Sequence, residues 1–427
     1  MLDLKRIRPF ALRVYRLAVL VLIVLLVRTH HARLRLAGDR PITLPEVREM
    51  LGDAVALGAD DSTRQGLVVY GPGRILIGYA VRTAPHADAI TGYSGPADTL
   101  VVFDADERVV AIRLRHSYDT PNHISDVVMD YPFMESWNGM SWQTIAEMNL
   151  KKAGVEGVSG ATRTSMCMAE GLVYRMRLAN AEKPPPPAFR VAWADVAMLI
   201  TLLGGLAMTF LHFKRKKTVR RIFQVFVFVY IGLIQGDLLA QSLLRGWAES
   251  GIPWRFTPGL VLLAAAALVV PWATRRPMYC GHICPHGAAQ EWLGKLVKRK
   301  PKLPHGLLAG LKAIPLVLIG WVLVTSLLAM PLDVAGLEPF DAYLFKTAGI
   351  ATLSVALVGL VFSLFVPMAY CKYGCPTGAV LGFVRSHGGA DHFRPADGAA
   401  GCLVMLTLFV FLRYDVLMRW LMEASSL

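Results

Sequence analysis

Six long apolar stretches follow one another through the second half of the chain, at 191–213, 222–244, 256–273, 306–330, 347–368 and 399–421. Each approaches the roughly 20 residues that a helix needs to cross a hydrocarbon core about 30 Å thick. Lipid offers no hydrogen bonds, so runs of this length can only span it as helices that satisfy their own backbone. A seventh run, 17–27, follows Lys5, Arg6, Arg8, Arg13 and Arg16 and leads into Arg28-Thr29-His30-His31, with no small-residue cleavage pattern. Residues 1–31 therefore read as an uncleaved signal-anchor helix. Only 18% of the 427 residues are charged, against about 25% in an average soluble domain. The expectation is an α-helical polytopic membrane protein with about seven transmembrane helices.

The net charge of +14 does not point to nucleic acid, because the basic residues sit in short runs beside the apolar segments. That is the pattern of membrane orientation. Lys214, Arg215, Lys216, Lys217, Arg220 and Arg221 fill one loop. Arg275, Arg276, Lys295, Lys298, Arg299, Lys300 and Lys302 fall in loop 274–305, and Lys372, Arg385 and Arg394 in loop 370–398. The positive-inside rule puts these loops in the cytoplasm and residues 32–183, of ordinary soluble composition, on the other side. Pro184-Pro185-Pro186-Pro187 makes 184–190 a stiff polyproline spacer before the six-helix membrane domain, 191–427.

Two stretches of that domain repeat each other at a separation of 91 residues: Tyr279-Cys-Gly-His-Ile-Cys-Pro-His-Gly-Ala288 and Tyr370-Cys-Lys-Tyr-Gly-Cys-Pro-Thr-Gly-Ala379. Each follows an apolar span, so the repeated unit is helix, cysteine loop, helix. Duplicated units of this kind pack around a pseudo-two-fold axis with the site at their interface. Cys280, Cys284, Cys371 and Cys375 then offer four soft sulfur ligands, which suit an iron–sulfur cluster, a single iron or a structural zinc. Pro285 and Pro376 favour the first helical position, so Cys284 and Cys375 each sit at a helix N-terminus, where partial positive charge favours a thiolate. A disulfide is disfavoured by a reducing cytoplasm. Cys167 and Cys402 show no partner pattern and read as small buried hydrophobes.

In the exported segment, 78–81, 100–103 and 108–114 read as strands and Gly92-Tyr93-Ser94-Gly95-Pro96 as a turn. Glu156-Gly-Val-Ser-Gly-Ala-Thr-Arg-Thr-Ser165 sets small residues and hydroxyls ahead of a helix. Free N–H groups at such a place bind phosphate, although a plain helix cap gives the same pattern. His116 and His123 read as solvated loop residues, and Trp137 and Trp142 as core.

These motifs carry a resemblance. Arg276 to Glu291 and its second copy resemble the polyferredoxin-like membrane segment of the NosR/NirI family of flavin and iron–sulfur proteins. Gly92-Tyr93-x-Gly95, Asp104-Ala-Asp-Glu-Arg-Val-Val, Asp119-Thr120-Pro121 and Ser159-Gly160-Ala161-Thr162 come in the order seen in FMN-binding domains of the NosR, RnfG and NqrC type. The resemblance implies an exported α+β domain in which a flavin transferase joins the FMN phosphate to Thr162, within a motif that also holds Glu156, Ser159, Gly160 and Ala161. Glu156 stands where the family usually has Asp, and Asn122 where a Gly often follows. No further cysteine cluster follows Cys402, so the resemblance does not extend to the ferredoxin-like domain that usually completes the family.

The function this implies is transmembrane electron transfer in a bacterial inner membrane. A cytoplasmic-side iron centre at the four cysteines would exchange electrons with a periplasmic FMN at Thr162, feeding a periplasmic reductase or its maturation. The protein is then a component of an electron-transfer oxidoreductase system rather than a stand-alone enzyme. Asp237, with Gln235, is the one carboxylate well inside a span and is a candidate for proton handling or quinone contact. Two other classes fit the same residues: a redox sensor or regulator, and a metal-assembly scaffold holding zinc.

Overall fold

The computed structural model describes residues 4–36, 41–59, 65–180, 189, 191–211, 217–297, 301, 304–330, 334–344, 348–385 and 392–425. The tetraproline 184–187 lies outside the described residues, as do Lys214, Arg215, Lys216, Lys298, Arg299, Lys300 and Lys302. The chain divides into two compact units: a helical one (1–31, 191–249 and 257–427) and a β-rich one (32–190 and 250–256).

In the helical unit, α1 (Leu4–Leu36) extends well beyond the expected apolar core at 17–27. Its Arg16 is fully buried and grips Asp397 with two bonds, Nε to Oδ1 at 2.6 Å and Nη2 to Oδ2 at 2.8 Å. Planar guanidinium and carboxylate meet best in this two-pronged way. The lengthened helix also buries His30 and His31, whose ring nitrogens meet the carbonyl oxygens of Leu327 and Ser326 at 2.7 and 2.9 Å.

The β-rich unit opens with α2 (Leu44–Met50), where Glu46 accepts the backbone N–H of Thr43. Its sheet is a simple antiparallel meander: β1 (Ala56–Ala59), β2 (Leu67–Tyr70), β3 (Leu76–Arg82), β4 (Ala97–Asp104) and β5 (Val109–Ser117). The central strand is covered on both sides, as the pleat requires. Leu100 and Val102 face Val47 of α2, while Val101 and Phe103 face a second core. That second core is completed by α3 (Pro121–Met129), α4 (Tyr131–Glu135), α5 (Trp142–Glu147) and α6 (Thr162–Asn180), with Trp137 and Trp142 buried in it. The expected strands 78–81 and 100–103 fall within β3 and β4, and 108–114 overlaps β5 from Val109 on; β1 and β2, four residues each, were not expected. The segment 250–256 groups with this unit, and Ser250 Oγ donates to the Ser94 carbonyl at 3.2 Å.

The helical unit continues with α7 (Trp193–Phe210), tied to a later helix by Asp195, whose Oδ1 accepts the Gly259 N–H at 3.0 Å. The expected continuous helix over 222–244 does not form. Instead α8 (Lys217–Phe226) widens into π-helical turns, Val227–Gln235, and stops at Gly236, whose φ of 73° is left-handed; α9 (Gln241–Ser250) begins five residues later. A glycine takes that backbone shape without strain. There follow α10 (Pro258–Thr274), α11 (Pro285–Leu293), α12 (His305–Leu327), α13 (Ile350–Phe365), α14 (Ala369–Tyr373), α15 (Pro376–Val384) and α16 (Pro395–Ser425), the last kinked at Arg413.

Among the described residues, five helices are long and apolar enough to cross a membrane, within α1, α7, Lys217–Gln235, α12 and α16. α10 and α13, at 17 and 16 residues, are apolar but shorter. Ile200, Val317, Leu357, Phe362 and Leu412 all stand exposed on these helices. So much apolar surface is a liability in water and the natural boundary of a protein in lipid.

Candidate functional site

The two cysteine motifs fold alike because their sequences punctuate alike. Proline occupies the first position of α11 and of α15, and the cysteine before it, Cys284 or Cys375, is the extended N-cap residue. Cys375 Sγ accepts the Gly378 N–H at 3.1 Å, which uses one of the free amides that open a helix. All four motif cysteines line one cavity of about 190 Å³. Burial pushes the Cys280 thiol up to about 12, and Cys371 adds to that shift across the repeat. Burial also raises Cys284, Cys371 and Cys375. Four thiols that would repel one another as thiolates, held out of water, are a donor set that a metal's positive charge stabilises.

Among the described residues, no three His, Cys, Asp or Glu side chains come close enough to share a single metal ion. Four cysteines around a shared cavity are a soft sulfur donor set of the kind that suits an iron–sulfur cluster, a single iron or a structural zinc.

Residues that the sequence did not single out hold the motifs in place. His286 and Thr377 follow the two Cys-Pro pairs at equivalent positions, and each is fastened by the turn-rich segment 334–344. Tyr343 OH meets His286 Nδ1 at 2.8 Å, and Glu338 Oε1 accepts the Thr377 hydroxyl at 2.7 Å. Burial pushes the Glu338 carboxyl up to about 7. Glu338 also accepts the Gln241 N–H, and Leu239 N–H donates to Tyr279 OH at 3.0 Å. The unwound stretch after Gly236 therefore spends freed backbone amides on the cysteine site, as irregular backbone in an apolar setting must. Asp237 lies in that stretch rather than inside a helix. It is buried, accepts Gln235 Nε2 at 2.6 Å, and is not among the residues lining the cavity.

In the β-rich unit, Thr162 is the first residue of α6 and is exposed, with Oγ1 donating to the Val158 carbonyl at 3.1 Å. Gly160, at φ 89°, turns the chain into the helix. Ser159 and Glu156 are exposed beside it, Ala161 is buried, and Thr120 is buried at the start of α3. An exposed hydroxyl at the positive end of a 19-residue helix suits a phosphate ester, and the open N–H groups suit its oxygens.

Asp119 organises the neighbourhood. Its Oδ1 accepts the Ser94 N–H at 2.6 Å and its Oδ2 the Thr164 hydroxyl at 2.5 Å, joining the 92–95 turn to the first turn of α6. Asp119→Ala leaves both donors buried and unpaired and is expected to destabilise the unit by about 2 to 4 kcal/mol. Burial raises the Asp119 carboxyl, and the two bonds only partly offset this. A raised folded-state pKa gives stability that is fully present below the ordinary carboxyl value near 4 and fades as the pH rises past the raised value. Thermal unfolding should show that decline in the wild type and a flatter profile in Asp119→Asn.

Comparison with known proteins fits this division. The FMN-binding domain family matches residues 92–174, which include Thr162 and Asp119. The 4Fe-4S binding domain family matches 256–304 and 348–392, one motif in each segment. The chain is 31% identical over 155 residues to YccM of Escherichia coli, a protein named for electron transport, covering 33% of this chain and 43% of that one. It is 34% identical over 142 residues to the regulatory protein NosR of Pseudomonas aeruginosa and 33% over 147 residues to that of Stutzerimonas stutzeri; each match covers 30% of this chain and 18% of the relative. The matches therefore span less than half the length of these relatives. No solved structure matches. The chain is thus similar to NosR over part of its length, and it holds segments that match an FMN-binding domain and a 4Fe-4S binding domain.

Proposed function

We propose that this chain carries electrons across a bacterial inner membrane, between an iron–sulfur centre held by Cys280, Cys284, Cys371 and Cys375 and an FMN esterified to Thr162. The observation that carries the reading is the joint presence, in one polypeptide, of four cysteines around one cavity and an exposed threonine at a helix N-terminus. When bound, the two groups supply the redox chemistry, and the protein supplies position and tuning. The basic loops support a cytoplasmic side for the cysteine motifs and a periplasmic one for the FMN domain. A flavin transferase attaches the FMN, and a periplasmic reductase or its maturation system takes the electrons.

Segment 334–344, which connects the far ends of α12 and α13, reaches the cysteine motifs through Glu338 and Tyr343. That contact supports a centre set inside the helical unit. A membrane quinone is the candidate relay between the two cofactors. The regulatory names of two relatives favour a second reading, in which the flavin reports redox state.

Anaerobic rapid mixing of the full-length protein with a low-potential reductant separates the two. A conduit shows flavin bleaching that follows iron–sulfur bleaching, then discharges both into an added acceptor. Flavin that bleaches equally fast in a Cys371→Ala protein without iron overturns the proposal.

A further inference from the structure

The two repeats are not equivalent at one buried position. Six residues after the second cysteine, the first motif has Gln290 and the second has Leu381. Gln290 is fully buried, yet its amide is spent almost entirely on the opposite repeat. Its Nε2 donates to Cys371 Sγ at 3.0 Å, and its Oε1 accepts the Tyr370 N–H at 3.1 Å and the Ser363 hydroxyl at 2.9 Å. A more distant Cys371 N–H points at the same oxygen at 3.5 Å. The Tyr370 N–H fixes which way round the amide lies, because a backbone donor must meet Oε1 and so leaves Nε2 for the sulfur, while Ser363 on α13 shares its one hydrogen with the Gly359 carbonyl at 2.7 Å.

We propose that Gln290 is a positioning residue that locks the second cysteine motif onto the first and sets the reduction potential of the centre through its N–H bond to Cys371. The inference rests on the reading of the four cysteines as iron ligands. An N–H donor stabilises sulfur more as the centre gains negative charge, so it favours the state with one more electron. Leu381, at the matching place in the second repeat, can give no such bond to the first. Among side-chain amides the donation runs one way only, from the first repeat to the second.

The test is a potentiometric titration of full-length protein with dithionite as electron donor, one electron taken up per centre. It is read by electron paramagnetic resonance, with iron and acid-labile sulfide measured on the same samples. Gln290→Leu, which gives the first repeat the residue of the second, is expected to shift the midpoint to more negative values. The reduced-to-oxidised ratio at a fixed potential falls about tenfold, or about 59 mV for a one-electron couple. Ser363→Ala, which frees the amide without touching sulfur, moves it the same way by less. In metal-free protein, alkylation of Cys371 under native conditions slows in Gln290→Leu and Gln290→Glu, because the thiolate loses the N–H that stabilises it, a readout independent of the centre.

Should Gln290→Leu fail to fold, Gln290→Glu keeps the oxygen that receives Tyr370 N–H and Ser363 and decides the matter with Ser363→Ala. Unchanged potential, spectrum and alkylation in the variants that fold overturn the role of Gln290. Wild-type protein without iron or sulfide overturns the iron reading instead.

Discussion

Alanine at any one of Cys280, Cys284, Cys371 or Cys375 is expected to strip the protein of iron and acid-labile sulfide, lowering both at least tenfold, while the flavin content stays unchanged. Each cysteine belongs to a donor set closed around one cavity. A cluster that loses one of four thiolates exposes an iron to exchange and breaks the charge balance that held the rest. The effect is larger than a packing defect of the same size would produce. Truncating a small buried thiol costs at most about 1 to 2 kcal/mol of fold stability, which leaves a folded but metal-free protein. Elemental analysis of the purified full-length variants checks this. Four variants that keep their iron, or a wild type that holds zinc instead, defeat it.

Much of this arrangement is legible in the residues, and the reasons differ between its parts. Six of the expected spans correspond to helices because lipid imposes one demand, a long apolar run, that averaging over a window detects. The same averaging hides the break in 222–244. Ile231-Gly-Leu-Ile-Gln-Gly-Asp-Leu-Leu-Ala240 stays apolar straight through the point where the helix stops. The signal that was there is Gly236, a helix-ending glycine placed beside a carboxylate. The cysteines stand out because they repeat. Gln290, Glu338 and Tyr343 do not, since their partners lie 81, 39 and 57 residues away and no local spacing announces them.

The β-rich unit divides in the same manner. β3 and β4 carry apolar runs that alternate between two cores, β5 gives Val109 and Ile112 to the second, and their pattern announces them. β1 pairs only four residues and contains Gly58, so its identity comes from pairing with β2 and not from its own composition. Asp119 sits in a recognisable Asp-Thr-Pro sequence, but its work depends on Thr164, 45 residues later. Helix ends and repeats are local facts; the bonds that hold a site together are distant ones.

Thr162→Ala is expected to abolish covalent flavin altogether, so that denatured protein shows no flavin fluorescence and the peptide around residue 162 has its unmodified mass. Thr162→Ser should keep a measurable part of it. The argument starts from what the side chain does for the fold, which is little. Thr162 is exposed, and its hydroxyl makes a single bond to the Val158 carbonyl, worth about 1 kcal/mol. The buried frame of the region uses other hydroxyls: Ser165, which accepts the Val158 N–H at 2.9 Å, and Thr164, which binds Asp119. Removing the Thr162 hydroxyl thus deletes the acceptor oxygen and leaves the turn, α6 and the sheet in place. Thermal unfolding within a few degrees of the wild type then separates a chemical loss from a structural one. Serine restores the oxygen at the same helix terminus while dropping only the methyl group. The neighbouring hydroxyls serve as internal controls, since Ser159 is also exposed, three residues before α6 begins. Full flavin attachment in Thr162→Ala, with loss in Ser159→Ala, moves the ester to Ser159 and removes Thr162 from the site. Loss in Thr162→Ala alone, with iron undiminished, shows that the two cofactors are loaded independently, each by residues of its own unit.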